Sequence, residues 1–95
     1  MKLLTKELLQ TIPALYGQDG VKNKKAYVKF FTPDSSWSWY VMEYDKEQQL
    51  CFGLVDGLEK ELGYFNLQEL EEIKGPLGLS VERDIYFEPT KIKEL

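Results

Sequence analysis

Ninety-five residues and 11.1 kDa suffice for one domain with its own core and exclude a second. With 43% hydrophobic, 14% aromatic and 29% charged residues, the composition is that of a soluble globular domain and excludes a disordered chain. Twelve bases against sixteen acids (net −4, pI near 4.8) argue against a general phosphate-backbone binder, and the absence of histidine excludes imidazole-based acid–base, nucleophile and zinc chemistry.

In chain order, Leu3-Leu4-Thr5-Lys6-Glu7-Leu8-Leu9 opens a helix. Thr5 suits the N-cap, Leu4 and Leu9 occupy the staple positions, Leu8, Leu9 and Ile12 form the apolar stripe, and Pro13 ends it. Lys6 and Glu7 interrupt the first apolar run, so no signal-peptide core is expected. No apolar stretch approaches the length of a membrane span, and the sequence reads as cytoplasmic. Gly17 to Lys25 turns polar and is expected to be a mobile surface loop. Four strand-like runs follow: Ala26 to Thr32, Trp37 to Tyr44, Leu50 to Val55 and Glu61 to Phe65. They are separated by Pro33-Asp34-Ser35-Ser36, Asp45 to Gln49 and Asp56-Gly57, short connections that predict an antiparallel meander. Asn66 caps a second helix with Glu69 three residues on; Leu67, Leu70 and Ile73 supply its buried stripe, and Gly75-Pro76 ends it. Leu77 to Val81 reads as a compact apolar loop, and Ile85-Tyr86-Phe87 as a short last strand before Pro89 and a polar tail. The expected architecture is a single α+β domain over residues 1–95: a four- to five-stranded, mainly antiparallel sheet with short helices near each end.

Three blocks carry a resemblance. They are Tyr27-Val28-Lys29-Phe30-Phe31-Thr32-Pro33-Asp34-Ser35 running into Trp37-Ser38-Trp39-Tyr40, then Glu61-Leu62-Gly63-Tyr64-Phe65, then Gly75-Pro76-Leu77-Gly78-Leu79 followed by Glu82-Arg83-Asp84. With the opening Leu-Leu-Thr-Lys-Glu-Leu-Leu, the sequence resembles the bacterial family named domain of unknown function 2958, nearly end to end. The resemblance implies a small bacterial protein of plasmids, phages and other mobile elements. It implies no established activity and no catalytic residues.

The aromatic strands are the leading functional feature. By strict alternation Trp37, Trp39 and Val41 point one way and Tyr40, Met42 and Tyr44 the other, so both faces of the hairpin carry large apolar groups. Two short helices do not cover both faces, and one exposed aromatic patch is expected. The bland alternative is that these rings fill the core. The functional reading is a protein partner, or a second copy, seated on Trp37, Trp39 and Tyr40 with Lys29 and Asp34 as a polar frame. Single-stranded nucleic acid stacked on the same rings, with phosphates on Lys22, Lys24, Lys25 and Lys29, is the runner-up.

Glu82-Arg83-Asp84 is a possible anion site or carboxylate pair. No nucleophile or metal spacing accompanies it, and a structural Arg83 tying the 76–81 loop to the sheet is the better expectation. Charge is uneven: residues 1–30 hold six lysines and two acids, residues 31–95 six bases and fourteen acids. The acids from Glu59 to Glu88 suggest a solvated face or, alternatively, an acidic imitation of DNA's phosphate ladder directed at a defence enzyme. The lone Cys51 sits in an apolar run and reads as a buried hydrophobe. Gly53 and Gly63 interrupt adjacent strands, for which close packing is the expected reason; Gly63→Val is then expected to destabilise the fold. No enzyme activity, cofactor, metal or membrane association is expected.

Overall fold

A computed structural model describes residues 2–95 of the chain. Helix α1 (Lys6–Thr11) starts where Thr5 Oγ1 accepts the Leu8 N–H at 3.2 Å, and ends at Ile12, which is extended ahead of Pro13. Six residues are too few to hold a helix alone. What fixes this one is the burial of Leu3, Leu4 and Ile12 around it against the sheet.

The main sheet is built from β2 (Val28–Phe31), β3 (Ser38–Asp45), β4 (Leu50–Asp56), β5 (Lys60–Asn66) and β6 (Glu82–Arg83). It runs in the order β5-β4-β3-β2-β6, every neighbouring pair antiparallel. A separate two-stranded ribbon pairs β1 (Lys25–Ala26) with β7 (Thr90–Lys91). The meander therefore stands as expected. The last strand does not: Ile85-Tyr86-Phe87 is a turn, closed by the Phe87 N–H on the Asp84 carbonyl and the Tyr86 N–H on Asp84 Oδ1. The strand pairing belongs to the residues on either side of it.

One face carries the core. Val28, Phe30, Trp39, Val41, Tyr44 and Cys51 pack there beneath Leu3, Leu4, Ile12, Leu67, Leu70 and Val81. Strict alternation cannot place Tyr44 on the same side as Val41. A β-bulge does: the register passes from Val41↔Gly53 to Glu43↔Phe52, so Met42 is an extra residue with no partner on β4. Beyond it Tyr44 returns to the core side and Glu43 turns to the opposite face. The expectation that Tyr40, Met42 and Tyr44 share a face fails for this reason. Gly53 faces the bulge, where a Cβ would lie 1.8 Å from the Tyr40 carbonyl oxygen. Gly63, its neighbour on β5, has no such constraint, since a Cβ there would meet nothing within 4 Å. The packing reason holds for Gly53 and not for Gly63.

The second face is covered by irregular chain. Pro13 O accepts the Tyr44 N–H, and Glu43, buried, accepts the N–H groups of Tyr16 and Gln18, both at 2.9 Å. The buried Gln18 amide in turn bonds the Lys25 backbone in both directions and the Met42 carbonyl. The start of the segment expected to be a mobile loop is thus bolted to the sheet by a buried polar network. At the other end Phe87 packs on Tyr40, with ring centroids 5.8 Å apart.

Helix α2 (Leu67–Glu72) begins at Asn66, whose side-chain oxygen accepts from the Gln68 and Glu69 N–H groups. Leu67 and Leu70 are buried as expected. Ile73 is exposed, because the chain is already extended there. Gly75 is not the left-handed helix stop; that conformation falls on Gly78, with φ of 83°. Among the described residues no helix is long and apolar enough to cross a membrane.

Candidate interaction site

The five residues expected to frame one surface divide between the two faces of the sheet. Trp37 and Trp39 lie together, ring centroids 6.0 Å apart. Trp39 is 6% exposed and belongs to the core, whereas Trp37, just before β3, is 39% exposed at the end of the sheet. Tyr40 and Lys29 are opposite each other across β2 and β3 and occupy the other face, where the Lys29 ammonium lies 5.6 Å from the Tyr40 ring centre. They form a separate group with Phe87.

Asp34 is not a rim residue. One carboxylate oxygen accepts the Leu77 N–H at 2.7 Å and the Leu79 N–H at 3.3 Å; the other is buried with no hydrogen-bond partner among the described residues. That second oxygen lies against Gly75, where a Cβ would come within 1.6 Å of it. The 75–79 loop closes on itself through Gly75 N–H to Leu79 O and Gly78 N–H to Gly75 O, around a charge supplied by the turn after β2. The Pro33-Asp34 turn and the Gly75-Pro76 loop are one structural unit, 41 residues apart at Asp34 and Gly75.

This unit lines a cleft of about 360 Å³ through Ser35, Gly75 and Pro76, together with Thr32, Trp37, Trp39, Ile73 and Lys74. A second cleft of about 360 Å³ is lined by Trp37 with Val55, Leu58, Glu59 and Glu61. The Trp37 ring lines both clefts. It rests over Gly57, where a Cβ would strike three ring carbons at 2.3 to 2.5 Å, so the β4–β5 turn provides its seat. Leu58 beside it is 94% exposed. Sequence reasoning missed Gly57, Leu58, Ile73 and Pro76. Asp56-Gly57 looks like any turn, and no local pattern states that the ring of Trp37 lies across it.

Glu82, Arg83 and Asp84 hold the far edge. The Arg83 guanidinium donates to the carbonyls of Lys2 and Leu3, both at 2.8 Å, so it ties the start of the chain to β6. The 76–81 loop, its expected partner, is held by Asp34 instead. Asp84 accepts within its own turn, and its N–H bonds the Lys29 carbonyl. A shallow cleft of about 450 Å³ lies there, lined by Lys29, Phe31, Glu82 to Ile85 and Tyr86. The acids from Glu59 to Glu88 distribute over β5, α2 and the 82–88 segment. Lys22, Lys24 and Lys25 are exposed, and the ribbon sets Lys91 directly opposite Lys25. Burial pushes the Cys51 thiol up to about 12, which keeps it protonated and unreactive at neutral pH. Among the described residues no three acid or thiol groups gather into a metal-binding cluster.

The fold and site together define a small α+β fold: a five-stranded antiparallel sheet with a two-stranded ribbon, helices and a buried core on one face of the larger sheet, and a half-exposed tryptophan lining two clefts at its end. Residues 3–93 match the family described as protein of unknown function (DUF2958), and the chain belongs to that family. Comparison with curated proteins and with solved structures found no match.

Proposed function

We propose that the protein is a non-enzymatic interaction module that seats a protein partner on Trp37 and its two flanking clefts. The observation that carries this reading is the Trp37 ring itself, half-exposed yet held in place by Gly57 beneath and Trp39 beside it. A fixed aromatic ring next to apolar hollows is the kind of feature on which binding energy concentrates. Leu58, Ile73 and Pro76 extend the apolar ground, and Glu59 and Glu61 make one side acidic. The partner surface that fits is an apolar side chain flanked by basic residues. The family resemblance suggests a bacterial setting among mobile elements, where such a module would act on a host or element-encoded protein in the cytoplasm.

The test compares capture from the bacterial host by the tagged wild-type protein and by Trp37→Ala, each with and without nuclease, followed by binding of the purified partner. The expected result is a nuclease-resistant protein whose affinity falls at least about tenfold on Trp37→Ala, equivalent to about 1.4 kcal/mol. Folding stability should change by no more than about 1 kcal/mol, against about 3–5 kcal/mol for the core substitution Trp39→Ala. Undiminished binding by Trp37→Ala overturns the reading. Material lost on nuclease treatment instead supports nucleic-acid binding, for which the Lys25–Lys91 pairing beside Lys22 and Lys24 is the supporting feature.

A further inference from the structure

The outer edge of β5 is where the five-stranded sheet stops on one side. Two bonds fix which of its backbone groups point outward. The Leu67 N–H donates to the Gln49 carbonyl at 2.9 Å, and the Gly57 N–H donates to the Glu59 carbonyl at 3.2 Å. In the antiparallel ladder that runs through Gly53↔Gly63, the N–H and C=O groups of Glu61, Gly63 and Phe65 therefore face β4. Those of Leu62 and Tyr64 face away from the sheet, and among the described residues no backbone hydrogen bond takes them up.

This edge lacks most of the usual protections: its charges, Lys60 and Glu61, are confined to one end of the strand. It is seven residues long and contains no proline, and its pairing with β4 continues without a bulge from Leu50↔Asn66 to Asp56↔Lys60. Leu62 is 56% exposed and Tyr64 53% exposed. The opposite edge, β6, has only two residues. Gly63 sits at the middle of β5 with no reason inside the chain to be glycine: its φ is not positive, and a Cβ would meet nothing within 4 Å.

We propose that β5 pairs antiparallel with β5 of a second copy of this chain, about a two-fold axis through Gly63. In this register Leu62 lies opposite Tyr64 of the second copy, and Tyr64 opposite its Leu62. All four outward N–H groups of these residues find carbonyls. The two Gly63 residues form the non-hydrogen-bonded pair at the axis, where backbones approach most closely, about 4.5 Å between Cα atoms. Registers centred on Leu62 or on Tyr64 set the other residue against Lys60 or Asn66. Only the Gly63 axis joins both apolar pairs, and it opposes no like charges, since Lys60 meets Asn66 and Glu61 meets Phe65. The apolar surface becomes continuous across the axis, because Leu54 and Phe52 stand beside Leu62 and Tyr64 on β4 and the Phe52 and Tyr64 rings are 5.0 Å apart. An edge pairing covers less area than a standard interface of about 1,600 Å², so the dimer is concentration-dependent.

Sedimentation of the full chain over a concentration series tests this. The mass should rise from 11.1 kDa to about twice that value. Leu62→Pro removes an outward donor without removing a bond to β4, and should hold the protein at monomer mass with native circular dichroism. If that variant loses the native spectrum, Leu62→Lys, which keeps the backbone and places a charge at the seam, must give the monomer. Gly63→Cys should cross-link copies under mild oxidation at least about tenfold more efficiently than Leu58→Cys, an exposed control; a Cα separation of about 4.4–6.8 Å suits a disulfide. The buried Cys51 does not compete. A wild type that stays monomeric throughout overturns the proposal and leaves the edge to an extended segment of another protein. A dimer that survives Leu62→Lys, or equal cross-linking from both cysteine positions, also overturns it.

Discussion

Glu43 bears more of the structure than its chemistry suggests. A carboxylate in a strand of this length would ordinarily face water, yet here it is buried and its two oxygens take the N–H groups of Tyr16 and Gln18. Tyr16 adopts φ of 67°, a left-handed conformation that a residue with a side chain holds only when its surroundings compel it. The two charge-assisted bonds supply that compulsion, and Gln18 then secures Lys25 and Met42. Glu43→Ala leaves two backbone donors unpaired and should cost roughly 3 kcal/mol. Hydrogen exchange is the informative measurement. Protection should fall across residues 14–24 well before it falls in β3 and β4; uniform loss over the chain would show that the network has no local role.

At the scale of the strand, a single extra residue reorganises the sheet. Met42 shifts every later side chain of β3 to the opposite face, and Gly53 is the position that lets β4 pass the bulge. Gly53→Ala sets a methyl group against the Tyr40 carbonyl and should lower stability by at least about 2 kcal/mol, read as a shift in urea midpoint. Gly63→Ala should leave the monomer's stability within about 1 kcal/mol of wild type, since its Cβ enters open space. Equal effects at the two glycines would contradict the bulge as the cause. The same particulars show what was legible beforehand. Thr5, Asn66, Pro13 and the turn clusters act within a few residues of themselves, and they place the meander and both helix starts correctly. The bulge, the burial of Gln18, the grip of Asp34 on the 75–79 loop and the seat of Trp37 on Gly57 all depend on residues distant in sequence. Alternation and composition carry no signal for them, and so the candidate site was legible as a set of aromatic residues but not as a surface.

For the molecule as a whole, the centre and the margins are built differently. Strands β3, β4 and β5 are successive hairpins whose partners follow one another along the chain. The margins join remote parts: Arg83 reaches Leu3 across 80 residues, Asp84 meets Lys29, and β7 returns to β1. Closing such long loops is entropically unfavourable until the centre exists, so the hairpins should form first and the margins last. Stopped-flow folding should separate them. Val41→Ala, in the central hairpin, should slow refolding, whereas Arg83→Ala should chiefly hasten unfolding. A refolding rate that falls with Arg83→Ala in proportion to its loss of stability would reverse that order. The placement of Arg83 also bears on how the protein is made. While residues 82–95 are still inside the ribosome's exit channel, β2 has no outer neighbour and the Leu3 carbonyl lacks its Arg83 donor. Until residues 82 and 83 have emerged, the nascent chain is an unfinished sheet, open along β2 and not yet joined to Leu3.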